Sequence, residues 1–134
     1  MSKYSLAKTI GTALLSVGLF AGCASSDNKQ SQIELIAQHR ASVLSAGLPV
    51  EVGALNIMKA EAKFGVVELL MIYNQDQGKI APQELMNNAI KYYCSSNEVK
   101  AALDQGVRYR LMLRNTRGQL IIDQVVGLEQ CNKK

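Results

Sequence analysis

Between Ser31 and Ala46 the apolar residues Ile33, Ile36, Ala37, Val43 and Leu44 recur at helical spacing and share one face. Ser31, with Glu34 three residues on, forms a capping box at the start, and Gly47 followed by Pro49 ends the run. The period then drops to two. Ala54 to Ala60 alternates, with Leu55 and Ile57 on one side and Asn56 on the other. Gly65 lies in a connection, and Val66 to Tyr73 is strongly strand-forming. "NQDQGK", Asn74 to Lys79, is a polar loop.

Helical spacing returns after Pro82, which stands at a first helical position where its missing N–H does no harm. Leu85, Ala89, Ile90 and Tyr93 form its buried stripe. A second capping box, Ser95 to Glu98, opens a short helix carrying Val99, Ala102 and Leu103 and ending at Gly106. Alternation resumes at Val107, Tyr109, Leu111 and Leu113, interleaved with Arg108, Arg110, Met112 and Arg114. "NTRG", Asn115 to Gly118, turns the chain, and Gln119 to Val126 returns as a partner strand. The order is helix, two strands, two helices, two strands. It predicts a small single α+β domain with a mostly antiparallel sheet of four to five strands and three to four helices. A chain of 134 residues has room for one such domain, and no repeat or second boundary is visible.

The pattern before Ser31 is of another kind. Lys3 and Lys8 precede an apolar run, Ile10 to Ala21, of signal-peptide length and too short to span a bilayer. The run ends Phe20-Ala21-Gly22-Cys23, which resembles the bacterial lipobox, where the cysteine is acylated and becomes the new N-terminus. Leu is usual three places before that cysteine; here Phe20 stands there and Leu19 lies one step further out. The alternative is an ordinary signal cut elsewhere, leaving Cys23 free. The expected organisation is a signal peptide over 1–22, lipidated Cys23 with a flexible tether over 23–31, and the domain over 32–134. Several acyl chains give stable anchoring where one does not. Ala24 bears on destination, because Asp after the cysteine is the inner-membrane retention signal in the sorting pathway this signal resembles.

Removing that segment also changes the charge. The formal +4 loses Lys3 and Lys8, leaving thirteen basic residues against eleven acidic ones, or +2. A near-neutral body with 5% aromatics and no Trp argues against nucleic acid as a partner. With Cys23 lipidated, Cys94 and Cys131 remain, an even pair that in an oxidising periplasm reads as one disulfide. A metal site would need more ligands than two distant cysteines and the lone His39, and a redox pair would stand closer in sequence. His39, beside Arg40 near the solvated side of the first helix, reads as a surface residue.

No catalytic constellation stands out. "GLPVEVG", Gly47 to Gly53, lacks the lysine and helix of a phosphate loop and reads as a turn entering a strand. No nucleophile elbow accompanies the serines, and the carboxylates are scattered. Neither an enzyme activity nor a cofactor is expected. The strand faces say more. Val67, Leu69, Met71 and Tyr73 point one way, and Val66, Glu68, Leu70 and Ile72 the other, so both faces of this strand are largely apolar. One outcome is a sheet covered by helices on both sides. The other is an apolar strip of Leu70, Ile72 and Met112 fringed by Arg108 and Arg110, a seat for a partner's amphipathic helix.

Four stretches together carry a family resemblance: "AGCAS"; "HRASVLSAGLPVEVGALNIMKAEAKFGVVELLMIY"; "YYCSSNEVKAALDQGVRYRLMLRNTRGQ"; and the terminal "LEQC". The sequence resembles type II secretion pilotin lipoproteins of the beta, AspS-type, family across essentially its whole mature length. The resemblance implies a non-enzymatic escort that binds a short C-terminal segment of the secretin subunit. Such an escort rides the lipoprotein sorting machinery and delivers the subunit to the outer membrane, its domain facing the periplasm. It also implies lipid on Cys23 and a disulfide between Cys94 and Cys131. It assigns no groove; Leu70, Ile72, Met112, Arg108 and Arg110 come from the strand pattern alone. The alternative function is a periplasm-facing lipoprotein that modulates a cell-wall enzyme, with "NQDQGK" as its key loop.

Overall fold

The computed structural model describes residues 24–133, so the signal segment and Cys23 lie outside the described residues. Helix α1 (Ala24–Ser45) is followed by β1 (Val50–Val52), β2 (Leu55–Lys63) and β3 (Val66–Tyr73). Two helices, α2 (Pro82–Ser95) and α3 (Asn97–Asp104), lead to β4 (Arg108–Arg114), β5 (Leu120–Val126) and a final short helix, α4 (Leu128–Asn132). The strands form one sheet in the order β1-β2-β3-β4-β5. Every neighbouring pair is antiparallel except β3–β4, which runs parallel because the chain between them crosses over through α2 and α3. The expected α+β class and mostly antiparallel sheet are what the chain adopts.

Helix α1 starts at Ala24, so Ser31 lies inside it rather than capping it, and the stretch expected to be a structureless tether is helical. The residues from Ala24 to Ala46 include neither Gly nor Pro, and Gln30 donates to Glu34 one turn on, so nothing stops the helix from extending backwards. Its buried positions are Ala37 and Ala41; Val43, placed on the apolar face by spacing, is exposed. The second capping serine is Ser96, whose Oγ accepts from Val99 N–H, whereas Ser95 Oγ donates to the Tyr92 carbonyl.

All four helices belong to one side of the sheet. Ala37 and Ala41 of α1, Met86 of α2, and Val99, Ala102 and Leu103 of α3 join Val67, Leu69, Met71, Tyr73, Tyr109, Leu111, Leu113 and Val126 in one buried cluster. Each fully buried Leu or Val side chain there contributes about 1.5–3 kcal/mol. A disulfide joins Cys94 at the end of α2 to Cys131 in α4, with Cα atoms 5.2 Å apart, and clamps the tail to the helical layer. Tyr93 packs against Tyr109 at 5.2 Å between ring centres, and burial pushes its phenol pKa well above the usual tyrosine range.

The β2–β3 hairpin turns on Phe64 and Gly65, both at positive φ (49° and 79°), as a two-residue turn between right-twisted strands requires. Glycine adopts this conformation freely. A left-handed Phe costs about 1–2 kcal/mol.

Candidate partner-binding surface

The face of the sheet away from the helices begins with alternation in β3 and β4. The parallel register sets Glu68 beside Arg110, Leu70 beside Met112 and Ile72 beside Arg114. β2 adds Asn56, Lys59, Glu61 and Lys63 on one flank, and β5 adds Asp123, paired with Met112, on the other. No side chain on this face reaches the full burial of the opposite one. The expectation of helices on both sides therefore fails: the sequence supplies four helices, and one face of the sheet uses them all.

Leu70, Ile72 and Met112 do come together as a half-buried apolar strip. Beside them a shallow depression of about 270 Å³ is lined by Lys59, Glu61, Lys63, Glu68, Leu70, Arg110, Met112 and Arg114. Its charged rim is internally satisfied. Arg110 donates from Nε and Nη2 to the two carboxylate oxygens of Asp123, at 2.8 and 2.6 Å, and from Nη1 to Glu68 at 3.0 Å. Lys63 approaches the other Glu68 oxygen at 3.4 Å. The bidentate pair holds the Asp123 carboxyl below the usual carboxylate range and raises the Arg110 guanidinium further. Glu68 and Asp123 are thus ion-pair partners, an arrangement that fixes side chains rather than moving protons. Arg114 gives Nη1 to the Gly118 carbonyl at 2.7 Å, while its buried Nε has no acceptor among the described residues.

Arg108 stands apart from the other four candidates. It lines a separate groove of about 420 Å³ with Leu103, Gly106, Val125, Gly127 and Leu128, where β4 begins and α4 packs. Sequence reasoning missed this groove; Leu128 beside Gly127 was the available signal. In "NQDQGK", Gln75, Asp76 and Gln77 are exposed, and the flanks of the loop are tied together. Tyr73 donates its hydroxyl to the Ile80 carbonyl across the loop, and Asn74 Oδ1 caps the turn by accepting from Asp76 N–H. Among the described residues no three His, Cys, Asp or Glu side chains converge as metal ligands.

Residues 29–131 match the family described as type II secretion system (T2SS) pilotin, S protein. Among curated proteins, Pilotin AspS 2 from Escherichia coli O78:H11 is 28% identical over 106 residues, covering 78% of this chain and 76% of that protein. A solved pilotin, EpsS, from the Vibrio vulnificus type 2 secretion system superposes with a TM-score of 0.76 at 44% identity, covering 81% of this chain and 99% of that one. The type II secretion system pilotin AspS from Vibrio cholerae gives 0.73 at 43% identity, covering 79% and 98%.

Proposed function

This chain belongs to the type II secretion system pilotin family, S protein, and from that membership we propose that it is an outer-membrane lipoprotein that escorts a secretin subunit. In this reading it binds the C-terminal segment of the subunit, travels with the lipoprotein sorting machinery and delivers the subunit for assembly. The role needs no catalysis and no cofactor. No helix among the described residues is long and apolar enough to cross a membrane. Attachment in this reading comes from acyl chains on Cys23, which the start of α1 links to the domain.

The observation that carries the binding half of this reading is the uncovered face of the sheet. Leu70, Ile72 and Met112 offer an apolar seat, and Arg110 is already locked between Glu68 and Asp123. Side chains that are ordered before binding lose little entropy on binding, so a modest strip can hold a short segment. A pull-down with a C-terminal secretin peptide tests the reading. Retention at about 10 µM peptide, where peptide grooves commonly work, supports it; no binding at that concentration contradicts it.

A cysteine variant separates the two halves of the mechanism. Cys23→Ser leaves a folded domain that still binds the peptide but no longer localises the secretin. Normal secretin delivery by that variant would contradict the anchoring half and leave peptide binding standing.

A further inference from the structure

Phe64 fits neither the fold nor the proposed secretin seat. It occupies the left-handed region at φ 49°, where an aromatic residue is disfavoured, and it is 87% exposed. Gly or Asn would make the same turn at no strain. An aromatic kept in a strained, solvated position points to something that the isolated domain lacks.

Its place in the fold indicates what. The neighbouring Gly65 lies so close to α1 that an added Cβ would strike Ile33 Cγ2 and approach Gln30. Arg108 N–H donates to the Gly65 carbonyl, so the tip of the hairpin sits at the end of the molecule where α1 begins. From Gln30 back to Ala24 the helix runs six residues, about 9 Å at 1.5 Å per residue. Cys23 comes next in the chain. The exposed ring and the proposed lipid anchor therefore leave the same end of the domain.

We propose that Phe64 inserts into the interface of the membrane that holds the Cys23 acyl chains, as a second, non-covalent contact that orients the domain. This inference rests on the lipid-anchor reading above. One aromatic ring would not bind a bilayer alone, but a tethered domain presents it at high effective concentration. Phe, with Trp and Leu, is a residue that interfacial segments bury about 5–10 Å into the headgroup and acyl boundary. Lys63 beside Phe64 faces Glu68 at 3.4 Å, so the contact rests on the apolar ring rather than on charge and is insensitive to salt. With the tip on the membrane, β3 rises away from it. Leu70, five residues beyond Gly65, then stands about 17 Å clear at 3.3 Å per residue. The open face would look sideways over the bilayer, within reach of a partner bound for that membrane.

The chain has no Trp, so Phe64→Trp creates a single reporter at the tip. The full lipidated chain is reconstituted into vesicles of phosphatidylethanolamine and phosphatidylglycerol. The introduced indole should emit to the blue of its position in water and be quenched severalfold by lipids brominated near the headgroup, at low and high salt alike. A Leu35→Trp chain, substituted at an exposed site on α1, should keep water-like emission. Phe64→Gly should melt a few degrees higher, since glycine relieves the left-handed strain. Water-like emission from the Phe64→Trp chain, on protein that floats with the vesicles, overturns the contact and leaves the anchor intact. Protein that does not float overturns the anchor reading and this contact with it. A shift that needs added secretin peptide makes the tip a protein contact, and equal shifts at both positions mean unspecific adsorption; either overturns the inference.

Discussion

Val67, Leu69 and Met71 on β3 meet Tyr109, Leu111 and Leu113 on β4, and every one of these six is at least 95% buried. One residue further along each strand, Glu68, Leu70 and Ile72 meet Arg110, Met112 and Arg114, and none of those is fully buried. The strands are the same, but the closed row carries no charged side chain while the open row carries Glu68, Arg110 and Arg114, and all four helices packed on the closed side. Core stability is thereby concentrated on the closed face, while the open face keeps an apolar strip whose exposure the fold tolerates because salt bridges hold its rim. A half-buried strip of that kind is what the proposed partner would cover.

The largest way to break this contrast is to release the clamp on the helical layer. Converting both Cys94 and Cys131 to Ser should cost roughly 4 kcal/mol for a loop of this length by the chain-entropy argument, read as a lower denaturant midpoint. An unchanged midpoint would mean that α4 is held without the bond. Next comes Leu111→Ala, which opens a cavity in the closed face and should cost about 3 kcal/mol.

The rim of the open face responds to pH. Because Arg110 lowers the Asp123 pKa, the pair contributes stability above the unfolded aspartate value, near 4, and loses it as pH falls through the lower folded value. The stability difference between the wild-type chain and Asp123→Asn should be constant from about pH 8 to 5 and shrink as the pH falls below about 4. A difference that grows on acidification would contradict the pairing. The smallest effect is Leu70→Ala, which should change stability by less than about 1 kcal/mol although it deletes as many atoms as Leu111→Ala. Equal losses at positions 70 and 111 would erase the distinction between the faces.

The parity of β3 and β4 was legible because both strands alternate without interruption. β2 was less so, for a reason visible in its register. Ile57 pairs with Met71 but Lys59 with Leu70, so a bulge at Met58 shifts the phase. Leu55 and Ile57 before it, and Ala60 and Ala62 after it, all face the helices, and a strict period of two loses the strand midway. β1 has only three residues, all exposed, and offers no apolar face to detect. Met86, the most buried residue of α2, belongs to the same stripe as Ile90 and Tyr93, one turn before Ile90, and helical spacing alone did not single it out beside Leu85. Nor does alternation say which face the helices choose. Arg108 shares the parity of Arg110, yet at the start of β4 it turns toward α4 and lines another groove.

The central claim is that the closed face holds the fold while the open face holds the partner. Calorimetric titration of a C-terminal secretin peptide into the wild-type chain, Leu70→Asp and Met112→Asp, with melting curves for each, tests it directly. The account predicts wild-type binding at or below about 10 µM, at least tenfold weaker binding by both variants, and melting temperatures within a few degrees of each other. Undiminished binding by the two folded variants would contradict it.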